Sequence, residues 1–481
     1  MWKLVQTGLS VVAGTAEPEY GPDSIHPVGY DLKENEPIYS GLTEKDMCYI
    51  SPSHTNVETQ TFYFNDEIYY GFAQIIHSNV IPLTTTAQFT FKIYNKKTPQ
   101  DYIWTSTKLD NFRTDGTNFH ADNLDIILDL TTMTYEIKSF VNKETLVDLK
   151  FKRLGDGIKF GKDGTTYYGT DINEPWGSMR HIFWPRCVIE GTVTLTRHKS
   201  HNNDTYEQSM EPSNSTESQT QDDDNKTLRN GKEEKEFRKI HHLLSNAGRK
   251  TLGKLNNLSH GNGSSSSVNT IESTNSSIDN NNSIFSIFNS KEKSKTLKFN
   301  GLGMYVMALQ GMKPHHAAAT WNFLNYNSDN YSVVIMEFTT PKSYHYTKVS
   351  VGMVVNAKGE VISASMNDDN KTIHLDSEID EIGWPIPHKI EFILNGENSK
   401  NEKISTKCYG DLIKLSERVD VMAEIPQFVK NIVSGVAGTK PYIYQFSNEF
   451  NLEINLPNGE VIKETGLGYN EATFISAIKK D

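Results

Sequence analysis

Cysteine is scarce in this 481-residue chain: Cys48, Cys187 and Cys408 are the only three, far apart and without a CxxC pair. An odd, sparse set argues against a disulfide framework and for a reducing compartment. Long apolar runs are missing, so no transmembrane helix is expected. Basic charge is in deficit, with 48 Lys and Arg against 60 Asp and Glu and a net charge of −12. A general nucleic-acid binder needs a basic face, so nucleic acid is not an expected partner. The same deficit argues against electrostatic adhesion to anionic membranes, leaving apolar insertion as the route to any membrane contact. Signature motifs are missing too: no HExxH, paired Cys/His spacing, P-loop or GxSxG elbow occurs, and GLGMYV lacks the third Gly of a dinucleotide loop. No cofactor and no metal are expected. Sequons at Asn203, Asn225 and Asn275 read as by-products of an Asn/Ser-rich tract.

What is present begins at the N-terminus, MWKLVQTGLSVVAGTA. At about 100° per residue, Lys3, Gln6, Thr7, Ser10 and Gly14 share one narrow polar arc. Met1, Trp2, Leu4, Val5, Leu9, Val11, Val12 and Ala13 cover the rest. A narrow polar stripe with Trp at the tip describes a helix lying in a membrane interface. Met1, Trp2, Leu4, Val5, Leu9 and Val12 are the expected membrane-binding residues. The run is too short and too interrupted to span, and it makes a poor secretory signal. The alternatives are a helix packed on its own domain or a targeting segment. Pro18, Gly21 and Pro22 end it.

From Lys199 to Lys295 the composition changes to Asn, Ser, Asp, Glu and Lys, including QDDDNK and GNGSSSS. Such sequence cannot bury enough apolar area to offset ordering entropy, so disorder is expected. Within it, Phe237, Ile240, Leu244, Ala247 and Leu255 recur at helical spacing, which fits a transient basic amphipathic helix or a chance pattern. The cluster IFSIF at 284–288 is equally open: a partner-binding patch or chance. Elsewhere the chain reads as β. Strands are expected at 58–64, 86–94, 124–129, 133–140, 145–151, 188–196, 298–309, 333–338, 348–355, 389–394, 406–415, 440–446 and 450–456. A helix is expected at 425–436. Strong strands on both sides place the 199–295 tract in a hairpin tip, where a long loop costs little closure entropy. The strings Gly301-Leu-Gly-Met-Tyr305 and Gly466-Leu-Gly-Tyr469 close blocks of similar length, each expected between two strands. They suggest two related antiparallel β-domains in tandem, closed into barrels or sandwiches.

Three further strings carry a resemblance: EPWGSMRHIFWPRCVIEGTV (174–193), FNGLGMYVMALQGMKPHHAAATWNF (299–323) and ETGLGYNEATFI (464–475). Together with the MWKLVQ start they resemble the fungal survival-factor-1 family over all but the low-complexity tract. The resemblance implies an all-β fold of two tandem lipocalin-like antiparallel barrels. The expected parts are a membrane-binding helix at 1–17, a first lipocalin-like domain at 18–319 containing the 199–295 insert, and a second at 320–481. It implies a ceramide carrier, not an enzyme, moving sphingolipid between endoplasmic reticulum and Golgi and supporting survival under oxidative and cold stress. Expected partners are ceramide or a related sphingolipid and the surfaces of those two membranes. The expected locations are the cytoplasm and those membranes, with the nucleus as a further one. The Met1-Trp2 start resembles substrates of an N-terminal acetyltransferase, which would make Met1 an acetylation site and that enzyme a further partner.

A small barrel has room for one ligand. Ceramide would want an aromatic and aliphatic lining with a few hydrogen-bonding groups. Candidates are Phe183, Trp184, Tyr305, Met307, Trp321 and Phe323, with Arg180, His315 or His316 near the head. Equally, these aromatics fill cores and the contact between domains. The tandem fold is shared with a carotenoid-hydratase-like group, so an enzyme acting on an apolar substrate is the main rival, with His315 and His316 as acid–base candidates. Adjacent residues on a strand face opposite ways, and Pro314 favours a turn, so a structural imidazole is the simpler role. A stress scaffold acting through the insert is the third reading. Cys48 and Cys187 read as buried, inert thiols over redox sensors.

Overall fold

The computed structural model describes residues 19–50, 56–80, 84–196, 293–312, 314–421 and 440–476. The helix expected at 1–17, the patterns at 234–255 and 284–288, and the helix expected at 425–436 lie outside the described residues.

The architecture is two meandering antiparallel sheets in tandem, each curled on itself. The first is built on β1 (Asn56–Asn65), β2 (Tyr69–Val80), β3 (Thr84–Asn95), β4 (Tyr102–Lys108), β5 (Thr134–Asn142), β6 (Thr145–Arg153), β7 (Gly177–Thr196) and β8 (Ser294–Gln310). The second uses β9 (Thr320–Asn327), β10 (Tyr331–Thr339), β11 (Lys348–Asn356), β12 (Val361–Met366), β13 (Lys389–Glu397), β14 (Lys403–Asp411), β15 (Tyr442–Asn455) and β16 (Val461–Phe474). In both, the last strand returns to pair with the first, β8 with β1 and β16 with β9. The second ring is complete because β12 also pairs with β13, giving a closed eight-stranded barrel of lipocalin-like form. In the first, strands at 113–115, 118–121 and 124–129 extend the sheet beyond β5. There β4 meets the β5–β6 hairpin through side chains: Thr105 and Thr145 hydroxyls lie 2.9 Å apart, and Asn142 donates to Thr107 over 3.1 Å. The first barrel is therefore a curled sheet with a side-chain seam.

Alternation along the strands sorts the apolar residues into three cores. Phe62, Phe64, Tyr135, Trp184, Ile189 and Tyr305 fill the first barrel. Leu324, Ile335, Phe392, Phe450 and Phe474 fill the second. Tyr63, Tyr70, Phe183, Met304, Phe323, Met336 and Tyr469, from the outward faces of both sheets, form the layer between them. Strands such as β2 thus have both faces buried, which is why YYGFAQIIHSNV shows no clean alternation.

Three details correct the reading of strand limits. The expected strand at 406–415 is two, β14 and Leu415–Asp420, while those at 440–446 and 450–456 are one, β15. The two GLG strings lie inside β8 and β16, not between strands. Their equivalence holds to the register: Leu302 pairs with Asn65 and Leu467 with Asn327. A Cβ on Gly301 would sit 2.0 Å from the Asn65 carbonyl oxygen, and one on Gly466 2.4 Å from that of Asn327. Both sheets therefore need glycine where the closing strand passes the end of the first.

β7 and β8 pair without a break from Cys187–Gly303 to Thr196–Ser294, so the flanks of the 199–295 tract are neighbouring strands, as expected. Replacing 199–293 with a short Gly/Ser turn should leave the melting temperature within about 5 °C, since shortening the loop about twentyfold returns only about 2–3 kcal/mol of closure entropy to a domain of this size. A larger drop on thermal denaturation would mean the tract packs on the barrels.

Candidate functional site

One end of the first barrel is stoppered from within. Residues 42–50 cross it, with a one-turn helix α1 (Glu44–Met47) at their centre. Thr43 and Asp46 make the capping box that starts the turn, with the Thr43 N–H donating to Asp46 Oδ2 over 2.8 Å. Met47 is buried in the first core, and Leu42, Tyr49 and Ile50 pack against it.

Polar residues on inward-facing positions hold this plug. Arg180 enters from β7 on the face of Ile182 and Trp184, and is buried. Its guanidinium donates to the Asp46 carbonyl over 3.1 Å, to Asp46 Oδ1 over 3.1 Å and, through Nε, to the Asp163 carbonyl over 2.9 Å. Lys159 Nζ donates to both Asp46 oxygens, at 2.9 and 2.8 Å. Burial alone would raise the Asp46 pKa, but bonds from Lys159 and Thr43 hold it below the usual carboxylate value.

Glu58 and Gln60 lie on β1 in phase with Phe62 and Phe64, so they point into the barrel. Glu58 is 1% exposed. Its Oε2 accepts the Ile50 N–H over 2.9 Å and its Oε1 accepts Gln60 Nε2 over 2.8 Å. The Tyr305 hydroxyl donates to Gln60 Oε1 over 2.5 Å. Burial pushes the Glu58 pKa up to about 8, against the weaker pull of the Ile50 and Gln60 bonds and the Arg180 charge. Glu58 is thus a neutral donor–acceptor at neutral pH. Because the native state holds a proton that the unfolded chain releases above pH 4.5, Glu58 makes stability fall as pH rises from there to about 8. The unfolding free energy of the parent minus that of Glu58→Gln should therefore drop by about 1.4 kcal/mol per pH unit across that window. A pH-independent difference in urea titrations would mean that Glu58 ionises normally.

Of the residues singled out from sequence, Arg180, Trp184, Tyr305 and Met307 come together in the first barrel. Trp184 packs on Tyr135 and Tyr305 at centroid distances of 5.0 and 5.2 Å, and its indole N–H has no protein partner. Phe183, Trp321 and Phe323 instead face the layer between the barrels, where His181 stacks on Phe183 and packs at a tilt against Trp321 at 5.4 Å. His316, on the turn Pro314–Ala317, packs edge-on against Trp176 in that layer, in keeping with the structural role. The His315 side chain, and Met1, Trp2, Leu4, Val5, Leu9 and Val12, lie outside what is described. Cys187 and Cys408 are buried, and burial raises the pKa of all three thiols, so none is poised as a thiolate. The residues missed are Asp46, Glu58 and Gln60. For Glu58 and Gln60 the signal was available, since they share the phase of Phe62 and Phe64.

The first core is filled, with Phe62, Tyr135 and Tyr305 rings 4.8–5.2 Å apart. Between the barrels, Phe160, Met179, Phe183, Met336, Phe338 and Val351 surround a void of about 10 Å³, the size of one water. An open groove of about 580 Å³ on the second barrel is edged by Lys389, Glu391, Asp411 and Lys414. It is too polar and too open to shield alkyl chains.

A family model described as the Svf1 family matches residues 2–229 and 266–476. The chain belongs to the Svf1 family. Among members, the ceramide-binding protein SVF1 of Debaryomyces hansenii is 43% identical over 479 residues, covering 99% of this chain and 100% of that protein. That of Candida albicans is 44% identical over 481 residues, covering 99% and 100%. Among solved structures, an AttH-like protein of Nitrosomonas europaea aligns with a TM-score of 0.48 at 8% identity, over 90% of this chain and 97% of that one. Kievitone hydratase of Nectria haematococca aligns with a TM-score of 0.44 at 11% identity, over 95% and 98%.

Proposed function

We propose that the protein binds ceramide in its first barrel and carries it between membranes, as a binding protein and not an enzyme. The supporting observation is the Glu58–Gln60–Tyr305 column, a set of uncharged donors and acceptors that lines the apolar core of this barrel beside the Arg180–Asp46 pair. A ceramide head offers an amide and hydroxyls with no net charge, and this column meets them without burying an unpaired ion. The Arg180 charge is already satisfied by Asp46. The seam between β4 and the β5–β6 hairpin lets this barrel widen at the cost of a few side-chain bonds, whereas the second barrel would have to break a backbone ladder. Entry then proceeds by withdrawal of the 42–50 plug. Family relatives named for ceramide binding support the choice of ligand.

Delivery between endoplasmic reticulum and Golgi, through insertion of the 1–17 helix with Met1 acetylated, belongs to the same proposal. So does support of survival under oxidative and cold stress. Two long chains in water would cost about 0.8 kcal/mol per CH₂, so the lipid must stay enclosed in transit. The test is vesicle-to-vesicle transfer of labelled ceramide, with mass spectrometry of lipids that co-purify. Full-length protein should carry ceramide, and Gln60→Leu with Tyr305→Phe should dock on vesicles but carry little. Deleting 1–16 should keep binding and slow delivery. No transfer above the spontaneous rate by the full-length protein would overturn the proposal.

A further inference from the structure

The plug of the first barrel is the last part of a longer segment, residues 19–50, that starts on the second barrel. Residues 19–28 are its fixed part. The Tyr344 hydroxyl donates to the Glu19 carbonyl over 3.0 Å, and the Gly21 N–H donates to the Ser343 carbonyl over 2.8 Å, so the loop between β10 and β11 holds this end. Ile25 and His26 pair with Tyr168 and Tyr167, and Ile25 and Val28 are buried in the layer between the barrels. From Gly29 to Lys45, by contrast, no side chain is buried. This stretch lies on the short strand Ile158–Phe160. It is held there by the pairing of Tyr39–Gly41 with that strand, by two backbone bonds, from Gly161 to the Ile38 carbonyl over 2.8 Å and from Leu42 to the Gly157 carbonyl over 2.9 Å, and by a surface pair between Lys162 and Asp31. Tyr39–Gly41 pairs with no other described strand, so lifting it breaks no further ladder. A segment with so few buried contacts opens at far lower cost than the barrels.

Two features tie this outer stretch to the plug. Leu42 alone separates Gly41 from Thr43, and one extended residue spans only about 3.5 Å, so the start of the plug moves no further than that while Tyr39–Gly41 stays paired. Lys159, the cross-strand neighbour of Ser40, is also the residue whose Nζ holds the Asp46 carboxylate. One short strand therefore grips the stretch by its backbone and the plug by a side chain.

The boundary between the fixed part and the loose part falls at Gly29, whose φ of +80° lies in the left-handed region, and where a Cβ would come within 2.7 Å of Met366 Cε. Just before it, the Val28 carbonyl accepts a bond from Asn367 Nδ2 over 3.2 Å. Met366 is the last residue of β12, and Asn367 follows it. β12 is the strand that closes the second barrel, through the pairing of Ala364 with Glu397 of β13. The boundary thus sits on the closing strand of the other barrel.

We infer that residues 29–50 form one flap over the end of the first barrel, hinged at Gly29, and that the second barrel governs it through the seat that Met366 and Asn367 make for the hinge. The flap rests on these contacts; the lipid that passes it rests on the reading of the first barrel as the ceramide site. Amide hydrogen exchange of the full-length protein reads the flap directly. Asn367→Gly keeps the left-handed backbone of that position, where φ is 49°, and removes its side-chain bonds. It should speed exchange about fivefold over both 30–41 and 43–50, with the β10–β11 ladder still protected. Unchanged exchange in this variant would overturn control by the second barrel. Ser40→Cys with Lys159→Cys, made on Cys48→Ser, puts two thiols on cross-strand neighbours, a spacing that a disulfide fits. Reduced, this protein lacks the Lys159 bond to Asp46, and 43–50 should exchange at least about fivefold faster than in the parent. Oxidised, the same sample should hold 39–41 shut and bring 43–50 back to the parental rate or below. Slow exchange at 39–41 with fast exchange at 43–50 after oxidation would overturn the flap, because the plug would then move by itself. Vesicle-to-vesicle exchange of labelled ceramide should slow on oxidation and recover on reduction. Lipid exchange that ignores the disulfide while the flap is held shut would overturn the first-barrel route and leave the flap standing.

Discussion

Replacing Lys92 with methionine should cost about 3–5 kcal/mol of stability, a large effect for one position on the outer face of a strand. Phe91 and Ile93 point into the first barrel, so Lys92 points away from it, yet its side chain is 0% exposed. It lies in the layer between the barrels, where Nζ donates to Glu417 Oε2 and to Gln445 Oε1, each over 2.7 Å. The rings of Tyr102, Trp104 and Tyr94 surround it at 4.7, 5.5 and 5.8 Å. The Tyr102 hydroxyl also donates to Glu417 over 3.0 Å, so removing the ammonium strands a carboxylate among aromatic rings. The penalty is that of the orphaned partner rather than the worth of the pair, and this makes the prediction specific. Lys92→Met combined with Glu417→Leu should recover most of the loss. Equilibrium unfolding in guanidinium measures both. A single variant within about 0.5 kcal/mol of the parent, as for an ordinary surface site, would show that this ion pair does not join the barrels.

The second large effect concerns opening. Asp46→Ala removes the carboxylate that receives both Lys159 and Arg180 and ends the Thr43 capping box. Arg180 then keeps two carbonyls and the Met307 sulfur as partners, with no counter-charge, while remaining buried. Loss of a buried pair by deleting one partner costs about 3–5 kcal/mol. Even half of that, concentrated in the plug, raises its open fraction about tenfold or more. Amide hydrogen exchange over residues 43–50 should accelerate accordingly, while β7 and β8 stay protected. If ceramide enters where the plug sits, its exchange between vesicles should speed up in parallel. Faster plug exchange with unchanged lipid exchange would place the entry route elsewhere.

Strands were legible where one face met water: Leu124–Asp129 alternates in burial, and its limits match the structure. The closing-strand role of the two GLG strings was visible as an echo, though not as mid-strand positions, because only register reveals the carbonyls they pass. The site was half legible. Trp184 and Tyr305 were identified by size and aromaticity, and so was Phe183, but adjacent residues of one strand face opposite ways, which sends Phe183 to the layer between barrels. Asp46 could not be found from local pattern. Its meaning depends on Lys159 and Arg180, which lie 113 and 134 residues away and meet it only in the folded state.

The ladder between β7 and β8 also sets a clock. Thr196 and Ser294 are cross-strand neighbours but 98 positions apart in the chain. At about 5–20 residues per second, a ribosome needs about 5–20 s to pass from one to the other. Throughout that interval β7 lacks its partner, and so does β1, because β8 is the strand both require. The nascent first sheet therefore waits with two bare edges, each able to recruit a foreign strand. The protein is most exposed to mispairing during its synthesis, at the one junction where its sequence is longest and least apolar.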